Sequence, residues 1–477
     1  LTIESGTVVD VQDHWLTIDG VLEASDVEFM TTETSTSLGS TGAGLWRGIT
    51  ISAGGSAAVS NISISGAESA LKVHGDVTIS DSITITNSYI GFDIASSGTL
   101  NAENVTMSTI DIQSVVNHGT LVIDTGLFTN TATGILSTQD LTANDVSFFD
   151  TGVAIDILSG SADVVGLGLE DVSVGIGSDA SASTTVSSIY GQHVALLVDG
   201  TDADDLSVSN ALVSGDRLLW GSMESISLSD VNFTQESVDR SVIDLRCRVD
   251  CTFNDVYVHN ADIGMDIDGP GTTRLTNSVL NGDEIGLRAS GTGLLVVDST
   301  TLKANATALS LSGLDSELNN TIVSLHDGNG PATSLLEGHH QWDDVEVIKP
   351  YSSLDTSSVG IDAWYATIEA SSLTTNGFAY GAEIEDTTLH SDVGSFINGK
   401  SQGIHAIDSD ISIGSLTTTA QEEGIVLSDS SSLNVVDWVA NLHNTPLLLE
   451  DDSLAQVRTF SPLNTAQGSN DAIGDGT

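Results

Sequence analysis

Gly264-Met265-Asp266-Ile267 is a stretch that this chain writes many times over. Gly91-Phe92-Asp93-Ile94 is a version of it, as are Ala154-Ile155-Asp156-Ile157, Ala308-Leu309-Ser310-Leu311, Gly381-Ala382-Glu383-Ile384 and Gly424-Ile425-Val426-Leu427. Each is a small residue followed by an apolar, a variable and an apolar residue. The copies start at 70, 91, 113, 134, 154, 175, 195, 217, 241, 264, 286, 308, 332, 360, 381, 403, 424 and 446. Steps between them are 20 to 24 residues, with one step of 28 between Ala332 and Gly360. A fixed period of that length means stacked structural units.

Between the copies, apolar residues alternate over short runs, as at Val77, Ile79, Ile83 and Ile85. That is strand periodicity. Val, Ile, Thr and Ser dominate, and only 5 prolines occur in 477 residues, so strands are rarely excluded. Gly, Ser, Asn and Asp punctuate the runs as turns. A helix-free unit of about 22 residues cannot bury its own apolar face. It can do so by winding, so that the inward side chains at i and i+2 of each strand stack on those of the next turn. The sequence therefore predicts an all-β right-handed parallel β-helix of roughly 20 coils. A leucine-rich repeat has a similar period, but its Asn/Cys-anchored consensus and helical return are missing. The expected organisation is one solenoid over 1–460, with opening coils at 1–69, an irregular long coil at 332–359 and a polar tail at 461–477. A polar loop from Thr31 to Gly44 interrupts the opening coils.

The opening motifs Leu1-Thr2-Ile3-Glu4-Ser5-Gly6, Leu16-Thr17-Ile18-Asp19-Gly20, Phe29 and Trp46-Arg47-Gly48-Ile49 carry a resemblance. The chain resembles the right-handed parallel β-helix repeat proteins of the pectin-lyase-like superfamily, of the non-catalytic secreted or cell-surface type. The resemblance runs from Leu1 to about Arg458. It speaks for the fold and is nearly silent about activity. Uronate lyases of that superfamily rely on Arg or Lys to abstract a proton, and here 12 basic residues are scattered along the chain. The Asn-Thr-Asp, Gly-Asp-Asp, Gly-His-Gly and Arg-Ile-Lys blocks of its polygalacturonase-type hydrolases do not occur.

Charge bounds the partners. With 66 acidic against 12 basic residues the net charge is −54. Such a surface repels nucleic acid and anionic membranes and leaves divalent cations or high ionic strength as companions. No run of about 18 apolar residues occurs, which speaks against direct insertion in a membrane. Leu1 opens within a strand pattern, which reads as a processed chain or an excised piece. Cys247 and Cys251 would lie too far apart to bond along a straight strand, whereas a turn at Arg248-Val249-Asp250 brings them into range for a local disulfide. Five glycosylation sequons start at Asn61, Asn104, Asn232, Asn305 and Asn319.

The chemistry-bearing residues gather in the long coil. His339, His340, Trp342 and Asp343 lie together there, with Trp364 one coil on. They offer an aromatic face for sugar, a carboxylate and imidazoles. Asp343 and Asp344 would point to opposite faces of a strand, so they are not a catalytic pair. Asp202, Asp204 and Asp205 are candidate Ca2+ ligands, and no other cofactor is expected. Gly394 to Ser401 has phosphate-loop spacing and Gly399-Lys400-Ser401-Gln402-Gly403 has nucleophile-elbow spacing, but both need a helix immediately after them. The chain runs instead into the repeat's own strand tetrad, Ile404-His405-Ala406-Ile407. The expected function is an extracellular or cell-surface structural rod, a stalk, sheath, surface-layer or fibre component with a secondary adhesive role. Its expected partners are copies of itself, neighbouring domains of a larger surface protein, and glycans. The alternative is a carbohydrate-active enzyme or sugar-binding module around 332–365.

Overall fold

A computed structural model describes residues 1–12, 14–31, 46–179, 181–237, 240–350, 357–420, 422–463 and 473–474. Among them there is no helix. The chain forms a parallel β-solenoid of about 20 turns with roughly 22 residues per turn. It divides into two compact units, Leu1–Ser237 and Val238–Thr477.

In the first unit the repeat tetrads pair in parallel and in register. Phe92 faces Val115, Val115 faces Ile135, Ile135 faces Ile155 and Ile155 faces Ile176. Their side chains form one buried column. A second column, from a different strand of each turn, runs Ile85, Met107, Phe128, Phe148 and Leu169. Phe128 and Phe148 stack within it, ring centroids 4.8 Å apart and 12° from parallel. Three tetrads begin later than the spacing predicts. Register places the small-residue position at Ser114, Leu197 and Leu218 rather than 113, 195 and 217. A register shift at Ile110/Gln113 accompanies the first. Such a bulge adds a residue that hydrophobic spacing alone does not locate.

In the second unit the tetrads at 264, 286, 308, 332, 360, 381, 403, 424 and 446 fall into register as spaced. Met265 pairs with Leu287, Leu287 with Leu309, Ile361 with Ala382 and Ile404 with Ile425. The small first residue has a physical reason. A Cβ on Gly264 would lie 2.5 Å from the carbonyl oxygen of Gly286. The same crowding holds for Gly360 against Gly381, Gly381 against Gly403 and Gly403 against Gly424. Large inward side chains use the same space, as Phe396 does beside Gly381.

The corners are built from left-handed backbone. Asn87, Thr109, Asn130, Asp150, Asp171 and His193 occupy one corner of successive turns at φ between 51° and 56°. Asp386 and Asp408 do so in the second unit at φ 47°. Asn and Asp tolerate this region because their side chains bond locally. A left-handed residue lifts the chain out of its ladder, so the next amide points inward without a strand partner. Hydroxyl side chains fill that need. The amide of Val256 donates to Ser278 Oγ at 3.0 Å, and that of Ser278 to Thr300 Oγ1 at 3.2 Å. Ser278 Oγ donates in turn to the Thr276 carbonyl at 2.8 Å. The same ladder runs Ala366, Thr387, Ser409 and Ser431 at another corner. Ser278, Thr300, Thr387, Ser409 and Ser431 are all buried.

Cys247 and Cys251 are joined by a disulfide with 6.0 Å between their Cα atoms, so the chain bends between them. Both are buried, and Val249 at the bend is exposed. The polar loop from Thr31 to Gly44 lies outside the described residues except for Thr31. Of the tail, Ser461 to Leu463 belong to the strand Leu454–Leu463, and 464–472 and 475–477 lie outside the described residues.

Candidate functional site

The long coil contributes the strand His339–Asp343, and alternation splits its side chains between two faces. His340 and Trp342 point into the core, where they are 0% and 2% exposed. His339, Gln341 and Asp343 point outward. His340 pairs in register with Ser316 and Ile368, and Trp342 with Leu318 and Ala370. Those inward neighbours fix which parity is buried.

His340 is held as a neutral ring. Its Nδ1 lies 2.9 Å from Ser316 Oγ, and its Nε2 lies 3.1 Å from the Glu337 carbonyl. A carbonyl only accepts, so Nε2 carries the proton and Nδ1 accepts from the serine. Burial pulls its pKa down to about 4, against the opposing pull of the Glu337 carbonyl and Asp315. A ring so enclosed supports the fold and does not present a base to solvent.

Gln341 and Asp343 line a groove of about 380 Å³ across four turns, bounded also by Glu317, Glu369, His390 and Asp392. They are neighbours by register: Glu317, Gln341, Glu369 and His390 form one column. The side chains satisfy one another between turns. His339 Nε2 lies 3.5 Å from Glu369 Oε1, and the His339 amide donates to Asp315 Oδ1 at 2.9 Å. Ser371 donates to Asp343 Oδ1.

Trp364 sits on a different face, 45% exposed, with Tyr365 beside it at 58%. Its indole N–H donates to Asp362 Oδ1 at 2.8 Å, which fixes the ring. A groove of about 150 Å³ runs past Asp362, Trp364, Glu383, Glu385, His405 and Ile407. Burial raises the Asp362 pKa, opposed by the Trp364 hydrogen bond and assisted by Glu383. His405 Nδ1 lies 3.9 Å from Glu383 Oε1. The five predicted site residues therefore divide between two outer faces and the core. Lys349 is also buried and donates to the Gly328 carbonyl at 2.8 Å. Tyr351 lies outside the described residues.

The other candidates are placed singly. Asp204 Oδ2 accepts from the Ser181 amide at 3.0 Å and Asp205 Oδ2 from Ser183 Oγ at 3.2 Å. Asp202 is exposed on a left-handed turn. Among the described residues no group of three or more His, Cys, Asp or Glu is arranged to hold a metal ion. Asn61, Asn104 and Asn305 are exposed, while Asn232 and Asn319 are half-buried. The Thr321 hydroxyl of the Asn319 sequon is buried and donates to the Asn319 carbonyl at 2.9 Å. The phosphate-loop and elbow spacings end in the strand Gln402–Ile407, which leaves them without the helix they require.

Sequence reading missed the hydroxyl ladder. Its signal was present as Asn277-Ser278, Ser299-Thr300, Asn320-Thr321, Asp386-Thr387 and Asp408-Ser409, a left-handed residue followed by a hydroxyl once per turn. No protein-family model matches the chain, and a search of curated proteins finds no match.

Proposed function

We propose that the chain is a non-catalytic structural solenoid of an extracellular or cell-surface assembly: a stalk, sheath, surface layer or fibre. The observation that carries this reading is how the long coil disposes of its side chains. His340 and Trp342 are used inside the core, and His339 and Asp343 are tied to Glu369 and Ser371 one turn on. The resemblance to the non-catalytic branch of the pectin-lyase-like superfamily, the local disulfide and the acidic surface all support it. Purified protein incubated with a panel of neutral and uronate polysaccharides should release no new ends. Cleavage that disappears in His339→Ala or Asp343→Ala protein would overturn the reading. An unchanged melting temperature in EDTA would remove structural Ca2+ from it.

A second reading has its own observation, the fixed and exposed Trp364 above a carboxylate-lined groove. An oriented indole offers a sugar ring an apolar face, and Asp362 and Glu383 offer acceptors for its hydroxyls. Adhesion to a glycan would then accompany the structural role. Binding on a glycan array that is lost in Trp364→Ala protein supports it, and an array without signal for the wild type removes it.

A further inference from the structure

One outward face of the first unit carries little charge. It is the short strand between two left-handed corners, bounded by Asp81, Asn104 and Asp145 on one side and Asn87, Asn130, Asp150 and Asp171 on the other. Its outward positions form two registered columns. The first runs Ser63, Thr84, Thr106, Leu127, Ser147, Gly168, Tyr190 and Leu212. The second runs Ser65, Thr86, Ser108, Thr129, Phe149, Glu170 and Gln192. Eight plus seven positions hold a single charge, Glu170. The chain has 66 acidic residues in 477, nearly all forced outward, so about three would fall on these positions by chance. The preceding strand of the same turns carries Asp76 and Asp163 facing outward, and Glu103, Asp124 and Asp140 lie exposed just outside it. Four large apolar side chains stand exposed in the neutral strip: Leu127, Phe149, Tyr190 and Leu212, the last two at 54% and 55%.

We infer that this strip is the surface by which a second copy of the chain binds side by side. The inference rests on the structural reading above and names its partner. Electrostatics selects the occupant. Two molecules of net charge −54 repel wherever carboxylates meet, and this strip is a face on which they need not meet. A two-fold pairing centred near Gly168 sets Phe149 and Tyr190 of one copy against Tyr190 and Phe149 of the other. The strip is about 34 Å long at ~4.8 Å per turn, and burying it on both copies covers about 900 Å² in total, just under the range of stable specific dimers. Association is therefore weak and depends on concentration. The rim carboxylates Asp145, Asp150 and Asp171 oppose it, so salt strengthens it as the screening length falls from ~10 Å at 0.1 M to ~3 Å at 1 M.

Sedimentation velocity over a concentration series, at 0.1 M and 1 M NaCl, tests this with the full chain. Expected is a monomer–dimer equilibrium, at least threefold tighter at the higher salt. The double variant Tyr190→Lys, Leu212→Lys weakens it tenfold or more, although its two added positive charges lower the overall repulsion. Thr185→Lys, which adds charge on the preceding strand outside the strip, does not weaken it. A monomer at every concentration and salt overturns the inference. So does association that survives the double variant, which would place the contact elsewhere, or association that requires a divalent cation at constant ionic strength. Polysaccharide cleavage by the same samples would instead overturn the structural reading, whatever the dimer does.

Discussion

The backbone amide of Thr387 donates to the hydroxyl of Ser409, one turn on, at 3.1 Å, and that hydroxyl donates to the Ile407 carbonyl at 2.7 Å. Both residues are about 2% exposed, so neither group has water to fall back on. Removing the hydroxyl strands a buried amide, which costs about 1–3 kcal/mol. Ser409→Ala should lower the denaturant midpoint accordingly, while Ser409→Thr keeps the group and stays near the wild type. An alanine variant as stable as the wild type would show that the ladder contributes little.

The tetrad glycines make a second prediction. A Cβ on Gly403 would press on the Gly424 carbonyl, and both belong to strands held in register on each side. Gly403→Ala should therefore destabilise by about 1–3 kcal/mol, as overpacking does. Alanine elsewhere usually stabilises by reducing the freedom of the unfolded chain. Thermal melts of Gly403→Ala beside Gly20→Ala make the comparison, because a Cβ on Gly20 meets nothing within 4 Å. Equal melting temperatures would contradict the crowding argument.

These two features mark how far the sequence could be read. The period of the tetrads was legible because it repeats along most of the chain, and the turns stack by it. Why the first residue is small was not legible, since the crowding atom belongs to the next turn's backbone. In His339–Asp343 the alternation was legible but its phase was not. Four polar residues and a tryptophan straddle both faces, and only the registered partners Ser316 and Leu318 decide that His340 and Trp342 turn inward. The shelf at Trp364 depends on Glu383 and His405 from the next two turns, which no local motif links to it.

The disulfide closes a loop with a sequence separation of 4. Chain-entropy arguments give such a short loop about 2 kcal/mol, well below what a long loop would gain. Reduction, or a Cys247→Ser, Cys251→Ser double change, should lower the unfolding midpoint modestly and leave the far-ultraviolet strand signal intact. Loss of that signal on reduction would mean that the bend at Val249 organises far more of the unit than its own loop.

His340 supplies a pH dependence whose sign can be worked out. Its folded pKa lies near 4, below the ordinary histidine value of 6.5 from which burial lowers it. Between those two values the unfolded chain binds a proton that the folded chain refuses. Stability from this group is therefore complete above pH 6.5 and falls as pH drops toward 4. The difference amounts to roughly 3 kcal/mol at the lower end. Carboxylate titration overlaps this window, so the informative quantity is the wild type minus His340→Gln. Glutamine keeps a donor and an acceptor within reach of Glu337 and Ser316 and does not titrate. Denaturant unfolding between pH 7 and pH 4 should show the wild type losing stability relative to the variant as acid is added. Parallel curves would mean that the ring is protonated as readily in the folded chain as in the unfolded one, with Nδ1 donating to Ser316 Oγ instead of accepting from it.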